Sequence, residues 1–328
     1  MEAALVERAG IRYESIPAAG VHGVGLRALP GNLARLAAGI PAARQILKKF
    51  DPDALFFTGG YVAVPVSIAG RNRPQAAFVP DVEPGLALRL IGRFADLIAV
   101  STDAARAFYP DDKQVLVTGY PTRPELQPMP VIEARARLGL EGDSHVLLVF
   151  GGSRGARSIN DALWNSLESL LEHTQVLHIT GELDWPRVSA VQSSLSAGLA
   201  DRYHAYRYLH DEMSLALSAA DLVVSRAGAA TIGEFPRFGL PAILVPYPHA
   251  WRYQRVNAEY LASAGGALVL PDEQLGERLA DTALRLLADE SGLEKMQAQM
   301  SELDHPGAAE RIAEALLTLA GARSEKNG

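Results

Sequence analysis

Short apolar runs rich in β-branched residues recur along the chain, and most of them lead into clusters of glycine, proline or small residues. In the first third they fall at Asp53–Phe57, Ala76–Val79, Leu97–Val100 and Val115–Val117. An alternating stretch, Arg12–Ile16, predicts another strand, after a helix end at Ala3–Ala9 and a turn at Gly10. Leu26–Phe50 places Leu33, Leu36, Ile40, Ile46 and Leu47 beside Arg35, Arg44, Lys48 and Lys49. That is an amphipathic helix whose apolar stripe faces its own sheet or, alternatively, rests on an anionic membrane surface. Thr58-Gly59-Gly60-Tyr61 turns from strand into an apolar helix ending at Ala69, and the two prolines of Glu125–Val131 mark a linker. Beyond it, strands at Val146–Phe150, Val176–Ile179, Tyr203–Tyr208, Leu222–Val224, Ile243–Val245 and Ala267–Leu270 alternate with helical patterns. The helices are Ala156–Leu171, Pro186–Ala197, Asp211–Ala219, one opening at Thr231, Glu273–Ala288 and Gly292–Leu303; Pro306-Gly307 breaks the chain before a last helix, Ala308–Leu319. Strands separated by helices of roughly ten to fifteen residues imply βαβ units and a parallel, doubly wound sheet. The fold class is α/β.

Charge divides the chain. Residues 1–130 hold 14 Lys and Arg against 12 Asp and Glu, and residues 131–328 hold 17 against 26, for a net charge of −7. A near-neutral first half and an acidic second half point to two domains. No basic stripe with interleaved aromatics suggests nucleic acid. The absence of cysteine excludes disulfides and thiolate chemistry. No apolar run is long enough for a membrane span, and the N-terminus lacks a signal-peptide layout, so a cytoplasmic protein is expected. A parallel α/β domain normally opens on a buried strand. None precedes the first helix here, which creates the expectation that the front of the first domain is missing.

Two strand-to-helix turns carry candidate chemistry. In Ala220–Asn257 a buried strand is followed by Arg226, then Ala227, Gly228, Ala229, Ala230 and Thr231. Small residues at a helix N-terminus let a phosphate approach N–H groups that lack intrahelical partners. The competing reading is a capping box between Thr231 and Glu234. The second turn, Gly151-Gly152-Ser153-Arg154-Gly155, is no Walker loop, because no Gly-Lys-Ser/Thr follows. Two such turns in one sheet favour a diphosphate ligand. Glu234, on the first helical turn, can accept ribose hydroxyls. Arg123 is a candidate partner for a diphosphate, and the amides of Gln254 and Asn257 for sugar hydroxyls.

The segments 151–160, 220–234 and 239–257, with Phe57–Pro65 and Gly119–Arg123, together resemble the MurG glycosyltransferases over nearly the whole chain. These enzymes move N-acetylglucosamine from UDP-N-acetylglucosamine onto an undecaprenyl-diphosphate-linked muramoyl-pentapeptide. The resemblance implies a GT-B architecture of two Rossmann-like domains facing across a cleft: residues 1–127 on the acceptor side, 128–305 binding the UDP-sugar, and 306–328 crossing back. It implies that Ser153 and the turn of Ala229, Ala230, Thr231, Ile232, Gly233 and Glu234 hold the diphosphate, with Glu234 on the ribose. The backbone at His210 would face the uracil, Gln254 the sugar, and Arg123 would assist from the first domain. It implies transfer without a metal or other cofactor, on the inner face of the cytoplasmic membrane.

Three departures stand out. The family's opening strand and its Gly-Gly-Thr-Gly-Gly-His loop have no counterpart, so Met1 reads as an internal start and a poorly soluble chain is expected. His22, the one histidine of residues 1–127, is the remaining candidate base. The family's His-Glu-Gln-Asn is Phe78-Val79-Pro80-Asp81 here, leaving Asp81 for the amide's contact, and Tyr253 replaces the first of a Gln-Gln pair. Alternatives are a non-catalytic nucleotide-sugar-binding protein and a transferase with another lipid acceptor.

Overall fold

A computed structural model describes residues 6–7, 10–20, 25, 27, 29–152, 155–249 and 252–327. Contacts divide the chain into two units: Met1–Pro80 with Pro84–Thr118 and Glu310–Gly328, and Asp81–Glu83 with Gly119–Ala309.

The first unit is built on four parallel strands in chain order, β1 (Leu55–Phe57), β2 (Gln75–Val79), β3 (Leu97–Val100) and β4 (Gln114–Val117). Every residue of β2 and β3 is buried, as expected of continuous apolar strands covered on both faces. The amphipathic helix spans Leu29–Phe50, and its buried line is Gly39, Ala43 and Leu47. A Cβ on Gly39 would stand 2.5 Å from the Pro17 carbonyl oxygen and 3.2 Å from Pro65, so that line is a packing seam. Of the expected apolar stripe only Leu47 is fully buried, while Leu33 stays half exposed. Arg12–Ile16 is not a strand. Ile11 and Tyr13 are exposed and no described strand lies alongside, so period-two alternation finds no ladder partner. The predicted helix at Ala3–Ala9 falls outside the described residues except for the helical Val6 and Glu7. In the final helix, Ala308–Asn327, the Arg311 Nε donates to the Thr118 carbonyl at 3.2 Å, just past β4.

The second unit holds six parallel strands: β5 (Val146–Phe150), β6 (Gln175–Ile179), β7 (Tyr203–Tyr206), β8 (Leu222–Ser225), β9 (Ala242–Leu244) and β10 (Ala267–Val269). Their order is β10-β9-β8-β5-β6-β7. The chain starts at the centre, winds outward through β6 and β7, then returns to lay β8 on the other side of β5. Alternation along β5 sends Val146 and Leu148 into one core layer and Leu147 and Val149 into the other.

Local chemistry accounts for two differences in the second unit. The expected helix Ala156–Leu171 is two helices, Arg157–Asn165 and Leu167–Leu171, because the Ser166 hydroxyl donates back to the Ala162 carbonyl at 2.9 Å. Past Pro130, at the end of the expected linker, a helix Val131–Leu138 forms. Its Arg135 is buried, donating to the carbonyls of Ala219 (3.1 Å) and Gly142 (2.6 Å) and to Asp221 (2.6 Å).

Candidate functional site

In a parallel sheet all the loops that leave carboxyl ends lie along one edge, and ligands collect where the direction of winding reverses. In the second unit that switch point lies between β5 and β8. The two small-residue turns singled out in the sequence, 151–155 and 226–231, are the loops that leave these two strands. His210 follows β7, and Gln254 follows β9 through the 245–252 loop, so they share the same edge.

After β8 the helix runs Thr231–Phe238, and the competing capping box does not form. Ala230 is the N-cap residue, with no side-chain cap. The Thr231 hydroxyl instead donates to the Gly228 carbonyl at 2.7 Å. Glu234 is bound through its backbone N–H, 2.8 Å from the Ala230 carbonyl, which leaves its carboxylate out of any cap. Among the described residues the N–H groups of Gly228, Ala229 and Ala230 donate to no protein acceptor. These are the unpaired donors that suit an anion at a helix N-terminus.

Glu234 is half-buried, and burial raises its pKa above the usual carboxylate range while the nearby Arg123 guanidinium opposes the rise. Tyr120 packs so closely that a Cβ on Gly233 would lie 2.6 Å from its own Cβ. The phenol's pKa is raised by burial first, then by Glu234 and Asp81. Arg123, expected to act from the first domain, belongs with Glu234 to the second unit. So does Asp81, whose carboxyl is raised by burial and held down by the Asn257 amide.

Asn257, expected to face a sugar, is fully buried. Its Nδ2 donates to Asp81 at 2.8 Å and to the Ala227 carbonyl at 3.2 Å, and its Oδ1 accepts from the Val82 N–H at 3.0 Å. With both donors and its acceptor engaged, it holds the β8 turn and Asp81 together instead. Phe78 and Val79 lie inside β2 and are buried, which explains apolar residues there. Gln254 uses its Oε1 to accept from the Tyr247 N–H at 2.9 Å, leaving its NH2 for a ligand among the described contacts. At His210 the carbonyl accepts from the Met213 N–H at 3.3 Å, and the exposed ring lies 4.6 Å from that of Tyr208.

In the β5 turn, Gly152 and Gly155 have φ of 90° and 79°, and a Cβ on Gly155 would stand 2.3 Å from the Thr180 oxygen. Gly155 is therefore required for packing against the end of β6, while Gly152 is required only for its positive φ. Ser153 and His22 lie outside the described residues. A buried polar chain fixes the helix that follows. Asn160 donates to the Thr180 carbonyl and to Asp184, both at 3.0 Å, so its Oδ1 is an acceptor, 3.0 Å from His178 Nε2. His178 Nε2 must then carry the proton, and Nδ1 accepts from the Tyr203 hydroxyl at 2.9 Å while that hydroxyl accepts from Trp164. Burial pushes the His178 pKa down to about 3, keeping it neutral.

Comparison with known proteins decides what this edge belongs to. The glycosyltransferase family 28 C-terminal domain matches residues 146–312, and the family's N-terminal domain matches residues 1–100. The chain belongs to the MurG family of glycosyltransferases. A UDP-N-acetylglucosamine–N-acetylmuramyl-(pentapeptide) pyrophosphoryl-undecaprenol N-acetylglucosamine transferase of Roseiflexus sp. (strain RS-1) is 38% identical, covering 97% of this chain and 81% of that protein. The protein of the same name in Geobacter sulfurreducens is 36% identical, covering 97% and 87%. The crystal structure of MurG from Acinetobacter baumannii superposes with a TM-score of 0.78 at 24% identity, covering 97% of this chain and 88% of that one. The fold is GT-B, as the resemblance implied. The family model for the C-terminal domain takes in both turns at the switch point, Glu234 and Gln254.

The sequence assigned no role to four residues at this edge: Tyr120, Ser158, Arg226 and Asp272. One signal was present, since an arginine directly after a buried strand and before four small residues has to find partners nearby.

Proposed function

We propose that this chain transfers N-acetylglucosamine, with inversion, from UDP-N-acetylglucosamine to an undecaprenyl-diphosphate-linked muramoyl-pentapeptide, an intermediate of peptidoglycan synthesis. The observation that carries this reading is the pair of small-residue turns at the switch point, in a chain related over nearly its full length to transferases of that name. The free N–H groups of Gly228–Ala230 supply fixed partial positive charge to the donor's diphosphate, together with Ser153, the rest of the Ala229–Glu234 turn and Arg123. Glu234 accepts the ribose hydroxyls. A carboxylate held in a half-buried site gains more from such a bond than one in water. Gln254 offers its NH2 to the sugar, the backbone at His210 faces the uracil, and Asp81 stands for the family's amide contact. In this reading the diphosphate charge is met by N–H groups and a guanidinium, without a metal ion.

With a lipid-linked acceptor and a nucleotide-sugar donor, the proposed reaction runs at the inner face of the cell membrane. No described helix is long and apolar enough to cross a bilayer. The reading is a peripheral one, supported by the exposed Leu33 beside Arg35, Arg44, Lys48 and Lys49 on the Leu29–Phe50 helix.

Calorimetric titration with UDP-N-acetylglucosamine, beside a Glu234→Ala variant, tests the donor site. The expected result is saturable binding that the variant weakens by more than about tenfold, or roughly 1.4 kcal/mol. A folded wild-type sample that releases no heat would refute the donor assignment.

A further inference from the structure

Arg226 closes β8, and its side chain is 11% exposed, opposite an Asp272 side chain that is 18% exposed. One guanidinium nitrogen bonds to Asp272 and donates to the Val245 carbonyl at 3.2 Å. The other donates to the Ser158 hydroxyl at 2.7 Å, and that hydroxyl donates onward to Asp272 at 2.8 Å. The guanidinium also lies 5.2 Å from the centre of the Tyr247 ring, in the loop whose backbone Gln254 holds. One side chain thus meets the end of β9, the exit from β10, the sugar-side loop and the helix opened by the β5 turn. The planar fork of an arginine can serve these directions at once, whereas a lysine ammonium cannot reproduce the fork. Among the described residues, its bond to Ser158 is the only hydrogen bond joining residues 155–160 to residues 226–231. The two turns leave β5 and β8, which are hydrogen-bonded neighbours as far as Phe150 and Ser225, and the Arg226 link joins the segments beyond the end of that ladder.

We propose that Arg226, with Ser158 and Asp272, is a positioning residue that sets the distance between the two diphosphate-facing turns and so governs affinity for the nucleoside diphosphate. This inference rests on the donor-site reading above. Arg226 touches no substrate in this account. It acts through the Gly151–Gly155 turn and the Ala227–Thr231 turn. A mispositioned turn weakens the donor in ground state and transition state alike, so KM rises while kcat is held.

The test is calorimetry with UDP on wild type, Glu234→Ala, Ser158→Ala, Arg226→Lys and the Ser158→Ala/Arg226→Lys double variant, with a thermal melt of each. Leu170→Ala, a fully buried position in the Leu167–Leu171 helix, controls for simple loss of stability. Ser158→Ala is expected to melt cooperatively and bind UDP roughly three- to tenfold more weakly, through the loss of two part-buried hydrogen bonds to charged groups. Arg226→Lys should lose about tenfold or more, and the double variant no more than Arg226→Lys alone, because both changes cut one link. Steady-state kinetics should show KM for UDP-N-acetylglucosamine raised by the same factors with kcat within about twofold. Leu170→Ala should lower the melting temperature and leave UDP affinity unchanged. Folded Ser158→Ala and Arg226→Lys that bind UDP as wild type does, or losses that add in the double variant, would overturn the inference. If Glu234→Ala weakens UDP and these variants do not, the positioning role alone falls; if wild type binds no UDP, the donor reading falls and takes this inference with it.

Discussion

Glu234 and His178 are both ionisable groups drawn out of water, and they answer burial differently. Burial raises the Glu234 pKa, the Arg123 guanidinium opposes that rise, and no cap engages the carboxyl, which suits a group waiting for a ligand. His178 is fully buried, gives up its charge and becomes a fixed donor and acceptor between Asn160 and Tyr203. Its pKa, depressed to about 3 from 6.5, means that the unfolded chain binds a proton on acidification that the folded chain refuses. Protonation therefore favours unfolding, and stability falls as pH drops through 6.5 toward 3. The loss is about 1.4 kcal/mol for each pH unit within that window. Denaturant unfolding at pH 7 and pH 5 should show wild type losing about 2 kcal/mol more than His178→Gln. Equal losses in the two proteins would mean that His178 does not titrate as its burial implies. Asn257 shows the limit of reading one residue from sequence. Its spacing from Gln254 put two amides one helical turn apart, but full burial commits Asn257 to the protein.

At the scale of elements, the strands were the most legible. Continuous apolar runs marked Leu97–Val100 and Val146–Phe150 to the residue, because strands covered on both faces are apolar throughout. Helices were less so. A Ser166 side chain that competes for a backbone carbonyl broke one, and prolines masked the Val131–Leu138 helix, whose Val131 and Ile132 are exposed and lack a clear apolar stripe. Arg12–Ile16 alternates as a strand does and still finds no ladder, a matter of partners that no local pattern reports. The site was legible where short motifs carry it, in the two turns and Glu234. It was illegible where the residues that meet are far apart in the chain, as with Ser158, Arg226 and Asp272. The two turns also differ in why they contain glycine. Gly155 has positive φ and a carbonyl 2.3 Å from any Cβ, whereas at Gly228 a Cβ would meet nothing within 4 Å and the φ is unstrained. Gly155→Ala should therefore destabilise the fold by about 1–3 kcal/mol in denaturant unfolding. Gly228→Ala should change stability by less than about 1 kcal/mol and yet weaken UDP-N-acetylglucosamine, since its methyl group would occupy space beside the unpaired N–H groups. A Gly228→Ala protein that binds the donor normally would mark that turn as a packing feature.

For the whole molecule, the second unit is a complete doubly wound sheet with its switch point lined by small residues, and the first is a four-stranded parallel sheet flanked by helices. Family membership ties both to one reaction, and the chemistry of donor and acceptor comes together only in that reaction. The direct test is transfer itself. The purified chain is incubated with radiolabelled UDP-N-acetylglucosamine and undecaprenyl-diphosphate-linked muramoyl-pentapeptide in detergent, and the lipid product and released UDP are measured. The account predicts a lipid-linked disaccharide formed in step with UDP, lost in Glu234→Ala. A folded chain that binds UDP-N-acetylglucosamine yet transfers no sugar to this acceptor would contradict it, and would leave a nucleotide-sugar-binding protein or a transferase with a different acceptor.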